Sequence, residues 1–202
     1  RSRLVGSEMC IRDRLNNLKN CSNNPFDCFE KKFGYKPNLF MKPCEDGSSI
    51  DIFKISNDED YKKAKLNCLN LEREFIFEES IEGREFTVTI IGNQCYPVIE
   101  IKTKNDFYDY DAKYISDDTI LDQAKLSDNE LKIINDIALR AFHALKCSGW
   151  ARVDIIQDKN GNFNVIEINT VPGMTSHSCV PKSGSFMDLS YQDVIKEILR
   201  NV

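Results

Sequence analysis

Two carboxylates, Asp154 and Glu167, lie in runs rich in Val and Ile that flank Asn160-Gly161. Asn-Gly readily takes positive φ at both central positions of a two-residue turn, so the sequence predicts a β-hairpin over residues 150–170. With that turn, Asp154 lies directly opposite Glu167 on one face of the pleat. Facing carboxylates repel each other by about 0.2–1 kcal/mol, so the pattern predicts a cation between them.

The neighbours of these carboxylates allow two interpretations. The same register places Arg152 opposite Asn169 on the acidic face. In the first interpretation, Arg152 neutralises the carboxylates and the face is solvated. In the second, the carboxylates and the Asn169 amide are hard oxygen ligands for Mg²⁺, and the segment 170–178, with its Pro-Gly turn and hydroxyls, offers N–H groups to a phosphate. The following segment favours the second interpretation, a Mg-phosphate site.

The elements that would position this site predict a fold of mixed α and β structure. Patterns of apolar residues predict five further strands, at residues 38–43, 50–55, 74–79, 84–91 and 95–101. The last three are predicted to form an antiparallel meander with a break near Gly83. Helices are predicted from Asn57 or Asp58 to about Asn70, from the N-cap Ser127 to Leu145, and over residues 189–202.

Two apolar faces are predicted to build the core behind the hairpin. The helix that begins after Ser127 carries one of them, formed by Leu131, Ile134, Ala138, Ala141 or Phe142, and Leu145. The second face of the hairpin carries the other, formed by Val153, Ile155, Ile166 and Ile168.

Composition and charge limit the class of protein. The 202 residues can bury a core as one domain or as two small ones. A net charge of −5 without a basic stripe argues against a nucleic-acid partner, and no apolar run reaches the ~18 residues of a membrane span. The eight cysteines form no CxxC pair, which favours reduced thiols in the cytoplasm over a disulfide framework or a zinc site.

The first residues differ from the rest of the chain. Residues 1–14 show no clear period, and we interpret them as a non-native leader, with native upstream sequence missing.

Five sequence segments carry a family resemblance. They are Phe40-Met-Lys-Pro43 with Gly47-Ser-Ser49, Glu85-Phe-Thr-Val88, Phe107–Tyr114, Gly149–Asp154 and Glu167–Ser178. Their order resembles that of the D-alanine:D-alanine ligases of the ATP-grasp superfamily, from about Asn38 to the C-terminus. The resemblance implies an α+β ATP-grasp fold, whose antiparallel sheets and flanking helices form a nucleotide clamp. Residues 15–82 would be part of the small lobe, and residues 83–202 the C-terminal lobe with the Mg and substrate site.

The resemblance also implies roles for single residues. ATP would be bound by Lys42, Ser49, Glu78, Glu79, Ile81, Glu85 and Lys113: the lysines at the phosphates, Glu78 to Ile81 at the adenine and Glu85 at the ribose. Two Mg²⁺ ions, for which Mn²⁺ can substitute, would be ligated by Asp154, Glu167 and Asn169. The catalytic set would be Arg152, Gly173, Ser48 and Tyr114. The carboxylate of the second D-alanine would be bound by Ser178 and the Cys179 backbone.

The implied reaction is the ATP-dependent ligation of two D-alanines through an acyl phosphate, for peptidoglycan precursors, in a cytoplasmic enzyme that can form a homodimer. Family members carry an N-terminal domain that grips the first D-alanine; nothing here matches it, so this chain is expected to lack full turnover. Two alternatives stay open: an ATP-grasp ligase of other substrates, and a non-catalytic or truncated Mg-nucleotide-binding module. Asp51, where the family usually has Gly, favours the module.

Overall fold

The computed structural model describes residues 10–14, 24–43, 51–68, 74–102 and 119–202, with the backbone alone for residues 10–14 and 74. These residues form two compact units, and the chain passes from one to the other between Ile81 and Glu82. Within the described ranges, every helix is too short or too polar to cross a membrane. The described cysteines form no disulfide with one another.

The smaller unit is a four-stranded antiparallel sheet with two helices. Its strands are β1 (Cys10–Arg14), β2 (Leu39–Pro43), β3 (Phe53–Ile55) and β4 (Glu74–Glu79), in the order β1-β4-β2-β3. Its helices are α1 (Pro25–Phe33) and α2 (Asp58–Asn67). One core joins the sheet and the helices, and it consists of Phe26, Phe29, Leu39, Met41, Ile55, Ala64, Cys68, Phe75 and Phe77.

Local sequence accounts for both helices of this unit. The side chain of Asn24 caps α1, Pro25 occupies its first turn, and Gly34 ends it with a left-handed φ of 86°. Asn57 caps α2 by accepting hydrogen bonds from the backbone of the first turn. The sequence predicted α2 but neither α1 nor β1, and β1 lies in the segment interpreted as a leader.

The larger unit is built on a six-stranded antiparallel sheet. Its strands are β5 (Arg84–Ile91), β6 (Gln94–Cys95), β7 (Ile99–Lys102), β8 (Ile120–Gln123), β9 (Trp150–Gln157) and β10 (Phe163–Asn169). The order is β10-β9-β5-β7-β8, with β6 paired to β5. The helices of this unit are α3 (Asp128–Ala144), α4 (Cys179–Ser185) and α5 (Tyr191–Asn201).

The two faces of the larger sheet pack against different helices. On one face, residues such as Phe86, Val88 and Val153 pack with the buried side of α3. On the other face, Ile91 and neighbouring side chains pack with residues of α4 and α5. Because side chains alternate along a strand, Thr87, Arg152 and Asp154 share the second face.

Three sequence predictions about these elements were wrong in detail. Strands β4 and β5 belong to different sheets, so the predicted meander begins only at β5. The strand predicted over residues 95–101 is divided into β6 and β7, because Pro97 has no N–H to continue the ladder. Leu145 was predicted to belong to the apolar face of α3, but it lies at the C-cap of that helix and is 50% exposed.

Candidate functional site

The hairpin of β9 and β10 places Asp154 opposite Glu167, in the register that the sequence predicts. The turn itself differs from the prediction: the Asp158 N–H donates to the Asn162 carbonyl at 2.9 Å, which leaves three loop residues instead of two. Near the turn the register is therefore shifted by one residue. A β-bulge at Ile166 adds a residue to β10 and restores it. The bulge also explains why Ile166, predicted to be in the core, is 39% exposed.

The side chain of Asp158 accounts for the longer turn. Its Oδ1 accepts hydrogen bonds from the backbone N–H groups of Asn160 and Asn162, both at 2.8 Å. These bonds, with a further one from the Asn162 side chain, lower the pKa of Asp158. Gly161 takes a φ of 84°, the left-handed conformation that a three-residue hairpin loop requires.

Arg152 is the cation beside both carboxylates. Its Nε donates to Asp154 Oδ1 at 2.9 Å and its Nη2 to Asp154 Oδ2 at 2.7 Å, while Nη2 lies 4.0 Å from Glu167 Oε1. The side chains of Arg152 and Asp154 are only 14% and 13% exposed, whereas that of Glu167 is 48% exposed. Burial lowers the pKa of Arg152, but the charge and hydrogen bonds of Asp154 outweigh burial and leave it raised.

Strand β5 adds a third contact to the same carboxylate. Thr87 lies opposite Asp154 in the β5–β9 pairing, and its Oγ1 donates to Asp154 Oδ1 at 2.7 Å. Glu85, two residues earlier, points to the same face and pairs with Ile156. The sequence pattern does not single out Thr87, although its polar side chain alternates with Phe86 and Val88 on β5. Its contact depends on the pairing of β5 with β9, which no local pattern reveals.

The segment after β10 folds back through side-chain hydrogen bonds. Asn169 Oδ1 accepts from the Val171 N–H at 3.1 Å and keeps a second lone pair for another partner. Ser178 Oγ accepts from the Thr175 N–H at 3.0 Å, so its hydroxyl faces into its own loop. A Cβ added at Gly173 would lie 3.1 Å from Ser178 Oγ, and the absence of a side chain at Gly173 therefore lets the backbone approach that hydroxyl.

Cys179 begins α4 directly after Ser178. It is only 5% exposed and packs with Ile99 and Ile101 of β7. The predicted contact of the Cys179 backbone with a carboxylate would therefore be made at the first residue of α4.

The predicted metal ligands suit a hard cation. Among the described residues, no three or more His, Cys, Asp or Glu side chains are grouped so that they could hold a metal ion. The predicted ligand set is of another kind, because it consists of two carboxylates and one Asn amide. Asp154 and Glu167 lie opposite each other, and with Arg152 they sum to a formal charge of −1. Oxygen donors and a net negative charge are what Mg²⁺ prefers, so these residues fit the ion.

The predicted ATP residues of the smaller unit lie on β2, β4 and the segment that follows. Lys42 and Glu78 form an ion pair with each other. Tyr35 Oη donates to Glu79 Oε2 at 2.7 Å, and burial together with that carboxylate raises the pKa of Tyr35 to about 12. Ile81 ends this unit. Lys42, predicted to bind the phosphates, is therefore paired with the carboxylate that was predicted to bind the adenine.

Asp51 has a φ of 57°, in the left-handed region that glycine favours. This conformation gives a physical reason for the glycine that the resemblance implies at this position. Asp adopts the region at a lower cost than most residues. The remaining predicted residues, Gly47, Ser48, Ser49, Lys113 and Tyr114, lie outside the described residues.

Comparisons with known proteins agree with this fold. The family model "D-ala D-ala ligase C-terminus" matches residues 13–200. The chain is 37% identical over 197 residues to the D-alanine–D-alanine ligase of Mannheimia succiniciproducens, which covers 97% of this chain and 62% of that protein. The crystal structure of the D-alanine–D-alanine ligase from Bacillus anthracis has a TM-score of 0.77 at 31% identity, with 95% of this chain and 60% of that chain covered.

A second structure of the Bacillus anthracis ligase is complexed with ATP; it has a TM-score of 0.75 at 27% identity, with 95% of this chain and 58% of that chain covered. The antiparallel sheets and their helices form the ATP-grasp fold that these ligases have. The chain belongs to the D-alanine–D-alanine ligase C-terminus family. It spans about three-fifths of the length of the relatives named here.

Proposed function

We propose that this chain takes part in the ATP-dependent ligation of two D-alanines to D-alanyl-D-alanine, a step in peptidoglycan precursor synthesis. The observation that carries this proposal is the cluster of Asp154, Arg152 and Glu167, mostly buried at its centre, in a chain of this ligase family. In the proposed reaction, the terminal phosphoryl group of ATP passes to the carboxylate of the first D-alanine and forms an acyl phosphate and ADP. The amine of the second D-alanine then attacks the carbonyl carbon, which forms the peptide bond and releases phosphate.

The residues of the larger unit divide this work. Arg152 and the Gly173 backbone would stabilise the oxyanion that forms when the amine attacks, because fixed donors favour charge that develops in the transition state. Ser178 and the Cys179 backbone would hold the carboxylate of the second D-alanine and so orient its amine. When bound at Asp154, Glu167 and Asn169, Mg²⁺ would spread the charge of the transferring phosphoryl group.

We propose one role in nucleotide binding for each predicted ATP residue that the structure describes. We assign Glu85 to the ribose, Lys42 to the phosphates, and Glu78 with the backbone of Glu79 and Ile81 to the adenine. Because Lys42 and Glu78 form an ion pair, a phosphate would have to compete with that carboxylate for the lysine. Because of this competition, we expect added salt to reduce ATP affinity less steeply in this chain than in a variant in which Lys42 has no carboxylate partner.

Stereospecific release of phosphate tests the proposal. The full-length protein, with the N-terminal domain that grips the first D-alanine restored, is incubated with ATP and Mg²⁺, and phosphate release is measured after addition of D-alanine or, as the matched control, L-alanine. We expect release to rise with D-alanine only, together with dipeptide detectable by mass spectrometry. Mg-dependent ATP binding with equal phosphate release in both samples would contradict ligation and support the nucleotide-binding module.

A further inference from the structure

The Thr87 hydroxyl has one short acceptor in a buried environment. Thr87 is 1% exposed, and its Oγ1 lies 2.7 Å from Asp154 Oδ1. The other acceptor within reach, the Val153 carbonyl, is 3.5 Å away, which is long for an O–H donor. An ionised carboxylate has no proton to give, so the hydroxyl donates to Asp154. A hydrogen bond from a hydroxyl to a charged acceptor is among the stronger ones in proteins.

Thr87 and Arg152 together fix the Asp154 carboxylate from two strands. Oδ1 accepts from Thr87 on β5 and from Arg152 Nε on β9, while among the described residues Oδ2 accepts from Arg152 Nη2 alone. An ionised carboxylate has about four lone-pair positions. Three are therefore occupied, and the remaining one belongs to Oδ2. Without Thr87, Arg152 alone would set the orientation of the group.

Thr89 provides an internal comparison on the same strand. It is also 1% exposed and lies on the same face, opposite Arg152 in the β5–β9 pairing. Its Oγ1 has no hydrogen-bond partner among the described residues. The two threonines thus match in strand, face and burial, and they differ in their contact with Asp154.

We propose that Thr87 is a positioning residue: its hydroxyl holds the Asp154 carboxylate so that Oδ2 is available to the divalent cation of a Mg-nucleotide. This inference rests on the proposed function, because it requires a metal-nucleotide at Asp154. Groups that orient metal ligands commonly change metal affinity by 10- to 100-fold when they are removed. Since both Arg152 hydrogen bonds would remain, we expect an effect of about 10-fold, at the lower end of that range.

Calorimetric titration with ADP separates this role from a structural one. The dissociation constant of ADP is measured with and without Mg²⁺ for the unaltered chain, Thr87→Val, Thr87→Ser and Thr89→Val. Valine keeps the shape of threonine without the hydroxyl, and serine keeps the hydroxyl. We expect Thr87→Val to reduce the Mg²⁺-dependent gain in ADP affinity about 10-fold and to leave the metal-free dissociation constant unchanged. Thr87→Ser and Thr89→Val should retain the gain within about 2-fold of the unaltered chain.

Each result has a separate meaning. A full Mg²⁺-dependent gain in Thr87→Val would overturn the positioning role and leave the proposed function standing. Equal losses in Thr87→Ser and Thr87→Val would also overturn it, because the hydroxyl would not be the cause. No Mg²⁺-dependent gain in the unaltered chain would overturn the proposed function first and the inference with it.

Discussion

Replacing Arg152 with Met removes the cation beside Asp154 and Glu167 while it keeps a long apolar side chain. Arg152 donates two hydrogen bonds to Asp154, and both side chains are almost nine-tenths buried. The variant would leave Asp154 as a carboxylate in a desolvated position, with the Thr87 hydroxyl as its remaining hydrogen-bond donor among the described residues. The expected result is therefore a loss of stability in the larger unit.

The size of this loss follows from the burial of the pair. Removing one partner of a buried ion pair costs about 3–5 kcal/mol. Here the remaining exposure and the Thr87 hydroxyl reduce the expected cost to about 2–4 kcal/mol. Adding Asp154→Asn to Arg152→Met removes the uncompensated charge and should recover about 1–2 kcal/mol.

The pair of Arg140 and Asp136 on α3 supplies a matched control. It has a similar Nε-to-oxygen distance of 2.9 Å, but its side chains are 60% and 65% exposed. Exposed pairs at this helical spacing contribute about 0.3–0.5 kcal/mol, so Arg140→Met should cost about that much. The contrast between the two arginine variants isolates the effect of burial.

Urea unfolding at pH 7 measures both variants. Trp150, the one tryptophan of the sequence, lies on β9 and reports the unfolding of the larger unit through its fluorescence. Equal free energies of unfolding for Arg152→Met and Arg140→Met would contradict the expected effect of burial. Further destabilisation of the Arg152→Met chain by Asp154→Asn would contradict the expected cost of the uncompensated charge.

Two further predictions concern the elements around the site. A Cβ at Gly83 would lie 1.8 Å from the Gln157 carbonyl oxygen, so Gly83→Ala should cost about 2–3 kcal/mol in urea unfolding, and a cost below about 0.5 kcal/mol would contradict this close approach. The hydrogen bond from Arg84 lowers the pKa of Glu100 in the folded protein below its ordinary value of 4.5. The bond therefore stabilises the fold above pH 4.5, and this stabilisation is lost as pH falls through the lowered pKa. Glu100→Gln should therefore cost about 1 kcal/mol at pH 7 and progressively less below pH 4.5, and a cost that is independent of pH would exclude the charged contact.

The register at the site was predictable because hairpin patterns act over short distances. Asn160-Gly161 correctly marked the turn, and the Val and Ile runs marked the strands. The predicted turn length was wrong, because the Asp158 side chain bonds to the loop backbone and favours three residues. The prediction for Asp154 and Glu167 was nevertheless right, since the bulge at Ile166 compensates for the longer loop.

Long-range pairing was the part that the sequence could not provide. Helix α3 was predictable, because Ser127 and Glu130 form a capping box visible in four residues. Thr87 and Asp154 are 67 residues apart in the chain, and their contact depends on the pairing of β5 with β9. The strand pattern alone likewise placed β4 and β5 in one meander, because adjacent strands in a chain usually pair, whereas they belong to different sheets.

Asp154 and Glu167 are proposed to form the metal-dependent part of a nucleotide site. Calorimetric titration with ATP, with and without Mg²⁺, tests it in the unaltered chain and in Glu167→Gln, with Asp136→Asn as a control for loss of a carboxylate elsewhere in the larger unit. We expect Mg²⁺ to increase ATP affinity in the unaltered chain and in the control. In Glu167→Gln, we expect this Mg²⁺-dependent increase to be about 10-fold smaller. Mg²⁺-dependent affinity that is the same in all three folded chains would contradict the assignment of Glu167 as a ligand. No ATP binding by the folded, unaltered chain would contradict the nucleotide site itself.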